Sequence, residues 1–262
     1  MTRSSANSTP QQLNLFPETP FPQPPQLPTY EVRVSDRAKH VSIRVSHLGT
    51  VEVVIPRGFD RTKVPEIVKT RQEWIRKTTR KVESERQRFR AEPAGALPDR
   101  LILRALSEEW QVIYKPTGGD RLTLRPSKEK TLSLSGATHN EDLCRDVLRR
   151  WLTHQAQQHL SRWLQQLSQE TRLSFNKVSI RGQKTRWGSC SDRQSISLNY
   201  KLLFLPPELV RYVLIHELCH TVQMNHSRKF WQLVAKKEPD YERLDQEVNK
   251  GWRYVPEWVD EK

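Results

Sequence analysis

The stretch "HELCHTVQMNH", residues 216–226, constrains the fold of this 262-residue chain more than any other. His216 and His220 are four residues apart, so on a helix their imidazoles project from one face about one turn apart. Two imidazoles placed in this way can bind the same zinc ion, at about 2.0–2.1 Å each. Glu217 points roughly 100° further round the helix, which keeps its carboxylate off the metal but near a metal-bound water. The pattern therefore predicts a metal-binding helix that carries its own general base.

A catalytic zinc site needs a third protein ligand and leaves a fourth position open for water. His226 lies six residues beyond His220, so it can bind the same ion only if the helix ends and the chain folds back. Asn225 suits the left-handed residue that ends a helix, and Ser227 suits the N-cap of the next one. We predict His226 as the third ligand, with Glu238 or Glu242 of the last predicted helix as the alternatives.

Two cysteines near the motif, Cys190 and Cys219, have two interpretations each. Cys190, in the segment "WGSC", is a candidate nucleophile, but no residue supplies its base because the histidines are better explained as metal ligands. We therefore favour packing of Trp187 and Cys190 beneath the metal-binding helix, with Gly188 allowing close backbone approach. Cys219 lies between the ligands and is expected to be a small core residue, since a fourth protein ligand would close the site.

Composition and periodicity divide the chain into four parts. Residues 1–28 hold seven of the 17 prolines and almost no charge, which predicts a disordered tail. Residues 29–95 begin with "YEVRVS", "HVSIRVS" and "TVEVVIP", which alternate apolar and polar side chains as strands of an antiparallel sheet do. A basic helix is expected from Thr62 to about Arg90. Its predicted apolar face is listed here as Val64, Ile67, Val68, Trp74 and Ile75.

The remaining two parts are a strand-rich segment and the metal-binding core. Residues 96–135 contain the predicted strands "RLILRA", "EWQVIY" and "RLTLRP". Residues 136–262 contain a long helix at about 140–170, short strands at "KVSIRG" and "SISLNY", the metal-binding helix, and a final helix at "SRKFWQLVAKKEPD". The prediction is an α+β fold in which small antiparallel sheets are packed with helices.

Charge and cysteine content bear on partners and location. The formal net charge is +14, and residues 57–90 carry 12 basic and five acidic side chains. Such a segment predicts nucleic-acid binding through phosphates, the alternative being a solvated basic face. Three widely spaced cysteines favour a reducing compartment. The N-terminus lacks the apolar core of a signal peptide, and no apolar run is long enough to span a bilayer, so we expect a cytoplasmic protein.

The tail contains one apolar island, "QLNLF", formed by Gln12, Leu13, Leu15 and Phe16. A disordered segment has no core for these side chains, and extended peptides of this kind bind in the pockets of a partner. The five letters resemble the short peptide by which bacterial replication and repair proteins dock on the sliding clamp. The sliding clamp is therefore one predicted partner, and packing of Leu15 and Phe16 on the protein's own surface is the alternative.

A longer segment, "RWGSCSDRQSISLNYKLLFLPPELVRYVLIHELCHTVQMNHSRKFWQLV", resembles the YgjP-like metallopeptidase family of zincins, which is similar to the WLM and SprT-like proteases. The family pattern combines W-G-S-C, an L-N strand, H-E-L-x-H and N-H-S-x-x-F-W, and every element is present. The segment "VRVSDRAKHVSIRVSHLGTVEVVIPRGF" also matches, whereas residues 97–115 match least. The resemblance implies a zincin-like fold, one zinc ion on His216, His220 and His226, and Glu217 as catalytic base.

The function predicted from these features is a zinc-dependent hydrolase, in which a zinc-bound water activated by Glu217 attacks a peptide bond of a protein or peptide substrate. Arg186, Tyr200 and Tyr212 are candidates for contacts to the substrate or its oxyanion, and by analogy with zincins we expect "SISLNY" to line the substrate groove. Two alternatives stay open. One is hydrolysis of a nucleotide phosphoanhydride, and the other is a nucleic-acid-associated protein with a structural metal.

Overall fold

The computed structural model of the protein describes residues 28–46, 48–87 and 96–260. Within these residues the chain forms six α-helices and ten strands, and the strands make three small sheets, so the fold is α+β. The predicted disordered tail, the segment "QLNLF" and the end of the basic helix near Arg90 fall outside the described residues and stay predictions. None of the described helices is both long and apolar enough to cross a membrane.

The described residues divide into two compact units, of which the first comprises residues 28–46 and 50–79. It contains β1 (Tyr30–Ser35), β2 (Ser42–Val45), β3 (Val51–Pro56), α1 (Val64–Thr70) and the beginning of α2 (Gln72–Gln87). Its buried core is listed here as Val51, Val53, Ile55, Val64, Val68 and Ile75. The buried side chains of β3 and the apolar faces of the two helices therefore pack against each other and form the core of this unit.

The basic helical region of this unit differs from its prediction in its continuity and in the position of Trp74. Arg71 has φ −103° and ψ 8°, so the chain leaves helical geometry between α1 and α2. One helical period therefore does not continue through the whole region. Ile75 is 1% exposed, as expected, but Trp74 is 46% exposed, so its predicted place in the core is wrong.

The second unit comprises residues 48–49, 80–87 and 96–260. Its larger sheet has the order β4-β5-β7-β6 and consists of β4 (Arg100–Leu103), β5 (Glu108–Pro116), β6 (Leu122–Pro126) and β7 (Thr131–Gly136). The sequence analysis did not predict β7. The helix α3 (Glu141–Thr171) follows, and its first turn is capped by the Asn140 side chain, which accepts from the Leu143 amide at 3.0 Å. The predicted helix at about 140–170 is confirmed.

A smaller sheet lies between α3 and the metal-binding helix in sequence, with β8 (Lys177–Arg181), β9 (Gly188–Cys190) and β10 (Ser195–Asn199) in the order β8-β10-β9. Three helices follow, α4 (Pro207–Cys219), α5 (Arg228–Lys237) and α6 (Tyr241–Asn249). The final predicted helix is α5, so α6 was missed. Side chains of α3, α4, α5 and α6 share one buried core with both sheets of this unit.

All three sheets contain the same arrangement of three strands, and it corrects the predicted antiparallel pairing. In β1-β3-β2, β5-β7-β6 and β8-β10-β9 the third strand inserts between the first two. The third strand is then parallel to the first and antiparallel to the second. Alternation along one strand reports which face is buried, but it carries no information about which neighbour provides the hydrogen bonds. The sheets are therefore mixed.

Candidate metal centre

The helix α4 begins with Pro206 and Pro207, where the absence of an amide donor costs nothing, and continues through an almost wholly buried apolar run. It ends at Cys219, with His220 as the C-cap residue. The amides of Val222 and Gln223 donate to the Cys219 carbonyl at 3.1 and 3.0 Å, and this turn reverses the chain.

The turn after α4 partly departs from its prediction. Asn225 is not among the non-glycine residues with positive φ, so the predicted left-handed helix end is wrong, and the hydrogen-bonded turn at Cys219 replaces it. Ser227 does occupy the N-cap position of α5, with φ −70° and ψ 171°, although its side chain makes no capping hydrogen bond. The chain folds back after His220 as the third histidine requires.

Folding back brings His216, His220 and His226 together, and we call these three side chains the histidine triad. Their Nε2 atoms are 3.1 Å, 3.2 Å and 3.2 Å apart. Nitrogens bound to one tetrahedral ion at about 2.0–2.1 Å would lie about 3.3 Å apart. Within the described part of the chain, these three residues form the cluster of metal-binding groups. The triad could therefore hold a metal ion.

The two alternative ligands lie in other interactions. The Glu238 carboxylate pairs with the Arg211 guanidinium at 3.5 Å, and the Glu242 carboxylate accepts from the Tyr241 hydroxyl at 3.1 Å. Cys219 is fully buried in the core, where burial raises the pKa of its thiol to about 12. The structure thus places none of the three in the cluster that the triad forms.

Aromatic side chains of α5 enclose the triad. The Phe230 ring is buried and stacks on His220 at 4.3 Å between centroids, and it presents its edge to His216 at 5.0 Å. The Trp231 ring stacks on His226 at 5.6 Å. These contacts restrict the imidazole rotamers and exclude water from one side of the site. The sequence analysis missed this role, although Phe230 follows His226 by four residues at the start of a predicted helix.

The surroundings of His216 and His220 favour the neutral form of these two imidazoles. Burial, together with the neighbouring histidines, lowers the pKa of His216 to about 3, and burial also lowers the pKa of His220. His220 Nδ1 donates to the Gln223 carbonyl at 3.0 Å, which leaves the lone pair on the Nε2 that faces the triad. Neutral imidazole is the form that binds metals, so the protonation state agrees with the geometry.

Glu217 is buried next to the triad, with only 6% of its surface exposed. Burial raises the pKa of its carboxyl to about 8, and the positive charge of Arg186 partly opposes this effect. Its Oε2 has no hydrogen-bond partner among the described residues. A buried carboxylate oxygen without a partner is costly for a fold and is typical of a functional site.

Gly188 of β9 makes the room for this carboxylate. A Cβ atom at position 188 would lie 2.5 Å from Oε1, 2.7 Å from Cγ and 2.8 Å from Cδ of Glu217. Those distances are far below van der Waals contact, so any larger residue must displace Glu217. The predicted close backbone approach at Gly188 is confirmed, and the approaching group is the candidate base itself.

Trp187 and Cys190, on either side of Gly188, make packing contacts and lack the features of catalytic groups. The Trp187 indole stacks on Trp252 at 4.1 Å, and its Nε1 donates to the Val248 carbonyl at 3.1 Å. Burial, with a contribution from the Glu217 charge, raises the pKa of Cys190 to about 11. The Cys190 thiol therefore stays protonated at neutral pH, unlike an activated nucleophile.

The strand β9 of the smallest sheet contacts α4. The strand β10 is central and pairs with β8 on one side and β9 on the other, so both of its edges are used. The strand β9 is an edge strand. Neither edge of β10 is therefore open to a further strand, and the expectation that "SISLNY" lines the substrate groove stays a prediction.

The three candidates for substrate contacts lie in different surroundings. The Tyr212 hydroxyl donates to Asp245 Oδ1 at 2.8 Å, and the tyrosine is buried. Tyr200 borders a cavity of about 440 Å³ whose lining includes Lys201 and Asp260 but no member of the triad. Arg186 interacts electrostatically with Glu217. Of the three candidates, Arg186 is the one whose charge lowers the pKa of the Glu217 carboxyl.

The loop that carries Arg186 is held by a residue that the sequence analysis did not single out. The buried Asn199 side chain donates through Nδ2 to the carbonyls of Gln183 and Arg186, both at 2.8 Å. Its Oδ1 accepts from the Lys201 amide at 3.2 Å. An asparagine directly after an apolar strand was the available signal, because a side-chain amide can satisfy backbone groups of an adjacent loop.

Comparison with known proteins gives one match. The family described as "YgjP-like, metallopeptidase domain" matches residues 39–251, which is most of the chain and includes the triad, Glu217 and Gly188. No curated protein and no solved structure matches the chain.

Proposed function

The chain belongs to the YgjP-like metallopeptidase family, and from this premise we propose that it is a zinc-dependent peptidase with a zincin-like fold. Family membership supports a metal-dependent peptidase in general. The observation that carries the proposal of zinc is the convergence of three imidazole Nε2 atoms within 3.2 Å of one another. Three protein nitrogens with a fourth position left open are typical of catalytic zinc sites.

In this proposal His216, His220 and His226 hold the ion, and the α5 aromatic rings keep the three imidazoles in place. When bound, zinc supplies Lewis acidity, which polarises a carbonyl group and makes water more acidic at neutral pH. The buried surroundings strengthen such electrostatic effects because the local dielectric constant is low.

Glu217 is the proposed general base. Its unpartnered Oε2 accepts a proton from the attacking water and then delivers that proton to the nitrogen of the leaving amine. Burial raises the pKa of the carboxyl, which makes it a stronger base than an exposed glutamate. Gly188 contributes by leaving the space in which this carboxylate lies.

The edge strand β9 favours an extended peptide as substrate. This strand has one side that no strand of its sheet occupies, so an extended chain can pair with its backbone.

Arg186 carries a positive charge near Glu217, and we assign it the role of stabilising negative charge on the carbonyl oxygen during attack. Asn199 holds the backbone of Arg186 and so positions it.

The experiment compares the parent protein with Glu217→Gln. Elemental analysis is expected to find one zinc ion per chain in both proteins. Hydrolysis of a fluorescent, unfolded casein is expected to fall by about 10²–10⁴-fold in the variant, because a positioned base contributes that much. A variant that loses its zinc, or one that keeps full activity, contradicts the assigned role of Glu217.

The same proteins distinguish the alternative functions. Release of pyrophosphate or phosphate from nucleoside triphosphates by the parent, without casein cleavage, would replace the peptidase with a phosphoanhydride hydrolase. A chelator is expected to abolish turnover while circular dichroism stays unchanged. Loss of the folded signal on chelation would instead indicate a structural metal.

A further inference from the structure

The first unit exposes a tryptophan that the fold does not need for its core. Trp74 is 46% exposed, whereas the next residue of α2, Ile75, is 1% exposed and belongs to the core of the unit. The helix therefore packs through Ile75 and leaves the indole in solvent. Tryptophan is enriched at interfaces because its large ring is apolar while its N–H remains available as a donor, so Trp74 is a candidate for contact with another molecule.

Basic side chains flank the indole in the chain. Lys77 follows Trp74 by three residues on α2 and lies within about 60° of it around the helix axis. Arg71 comes directly before α2, and its carbonyl accepts from the Ile75 amide at 2.9 Å. Arg71 and Lys77 are both exposed. The nearest acidic residue, Glu73, points about 100° away. The described residues of this unit carry eleven basic and six acidic side chains, so the surrounding field is also positive.

We propose that Arg71, Trp74 and Lys77, which we call the tryptophan face, bind single-stranded nucleic acid. A base stacks on the indole, and the two cations contact the phosphates on either side. Lys77 lies about 4.5 Å along the axis of α2 from Trp74, and Arg71 lies on the other side of Trp74 in the chain, directly before the first turn of α2. A strand that places one base on the ring therefore has a cation available for the backbone on each side.

Charge complementarity and the single indole favour single-stranded nucleic acid over duplex nucleic acid and over an anionic membrane. Duplex nucleic acid hides its base faces inside the stack and would use the cations but not the ring. An anionic membrane would need a broad apolar face to insert, and the apolar face of this helix is already buried through Ile75. Unpaired bases use both parts of the tryptophan face, because every base has a face that can stack.

The test measures fluorescence anisotropy of labelled dT20 and of a labelled 20-base-pair duplex with the full chain at about 50 mM salt. Trp74→Ala is expected to weaken dT20 binding by about tenfold, since stacking contributes about 1–3 kcal/mol per base. Duplex binding is expected to change less than twofold. Trp74→Phe keeps a stacking ring and is expected to restore most of the affinity for dT20.

A matched pair of charge reversals tests whether nucleic acid binds on the side of α2 that carries Trp74. Lys77→Glu is expected to weaken dT20 binding and to reduce the salt dependence. Arg76→Glu makes the same charge change about 160° from Trp74 and is expected to have a smaller effect. Equal effects of the two reversals would mean that the helix acts only through its net charge, which overturns the tryptophan face.

Three other results would also overturn the proposal. They are the absence of dT20 binding at about 50 mM salt, dT20 binding that Trp74→Ala leaves unchanged, and Trp74-dependent binding to vesicles of anionic phospholipid without binding to dT20. Thermal melting of each variant shows whether the unit is still folded, and Trp74→Phe provides the comparison if Trp74→Ala is not. None of these measurements depends on the peptidase proposal, so the two proposals fail separately.

Discussion

The histidine triad and the tryptophan face differ in how strongly their surroundings hold the side chains. In the triad all candidate ligand atoms lie within 4.8 Å of one another, and the rings contact Phe230 and Trp231 of the next helix. In the tryptophan face all three side chains are exposed, and the helix beneath contributes one residue, Ile75, to a core of six. Metal chemistry requires placement within about 0.5 Å, whereas stacking and phosphate contacts tolerate mobile side chains.

The two sites also differ in the cores beneath them. The second unit buries a large cluster that includes Phe230 and most of α4, so a shifted imidazole would disturb many contacts. The first unit has a small core that holds a helix on a sheet. Substitutions in the second unit are therefore expected to have larger effects than those in the first.

Replacing a triad member is expected to have the largest effect. His226→Ala removes one of three nitrogen donors and is expected to weaken zinc binding by more than about 100-fold, because even residues that only support the ligands contribute about 10–100-fold. Competition with a chromophoric chelator measures the affinity. His154→Ala, an exposed histidine on α3, serves as the control and is expected to leave affinity unchanged. Unchanged affinity in His226→Ala would reopen Glu238 and Glu242 as ligands.

The next largest effect is expected from adding one methyl group beside Glu217, which should lower the rate of casein cleavage. In Gly188→Ala the new Cβ would lie 2.5 Å from Glu217 Oε1, so the carboxylate must move. Misplacing a catalytic group by about 1 Å costs about 100-fold in rate, and casein cleavage is expected to fall by that factor while zinc content stays at one per chain.

Gly118→Ala is the matched control for this substitution, because a Cβ there meets nothing within 4 Å. It is expected to retain full activity. If Gly188→Ala cleaves casein as fast as Gly118→Ala, Glu217 does not need the space that Gly188 leaves, and its assignment as base is contradicted.

The smallest effects are expected for two adjacent residues of α2 in the first unit, Trp74 and Ile75. Ile75→Ala removes a buried side chain and is expected to lower the free energy of unfolding by about 2 kcal/mol. Trp74→Ala removes an exposed side chain and is expected to change it by less than about 0.5 kcal/mol. Urea denaturation followed by circular dichroism measures both. A similar cost for the two variants would show that the indole supports the fold.

Local patterns were predictable from the sequence because neighbouring residues decide them. The spacing of His216 and His220 requires a helix, and the distance to His226 requires a chain reversal, and the structure has both. The strands β1 and β8 and the long helix α3 also follow from periodicity. The left-handed residue at Asn225 was wrong because another local solution, the turn at Cys219, reverses the chain equally well.

Contacts between distant segments could not be predicted in this way. Insertion of β10 between β8 and β9 makes β9 the edge strand next to α4, and no period within "SISLN" reports that order. The exposure of Trp74 depends on the interruption at Arg71 and on which helix face meets β3. Asn199 gains its role only when the loop at Gln183 and Arg186 lies against it.

Helix geometry follows from residues within one or two turns, so the sequence was enough to place His216 and His220 on one face with Glu217 beside them. The room that Gly188 leaves for Glu217 and the stacking of Phe230 on His220 follow only from the tertiary structure. It also decided that Trp74 stays in solvent. These outcomes depend on close packing between segments far apart in the chain, where a difference of one methyl group or one residue of register decides which side chains touch.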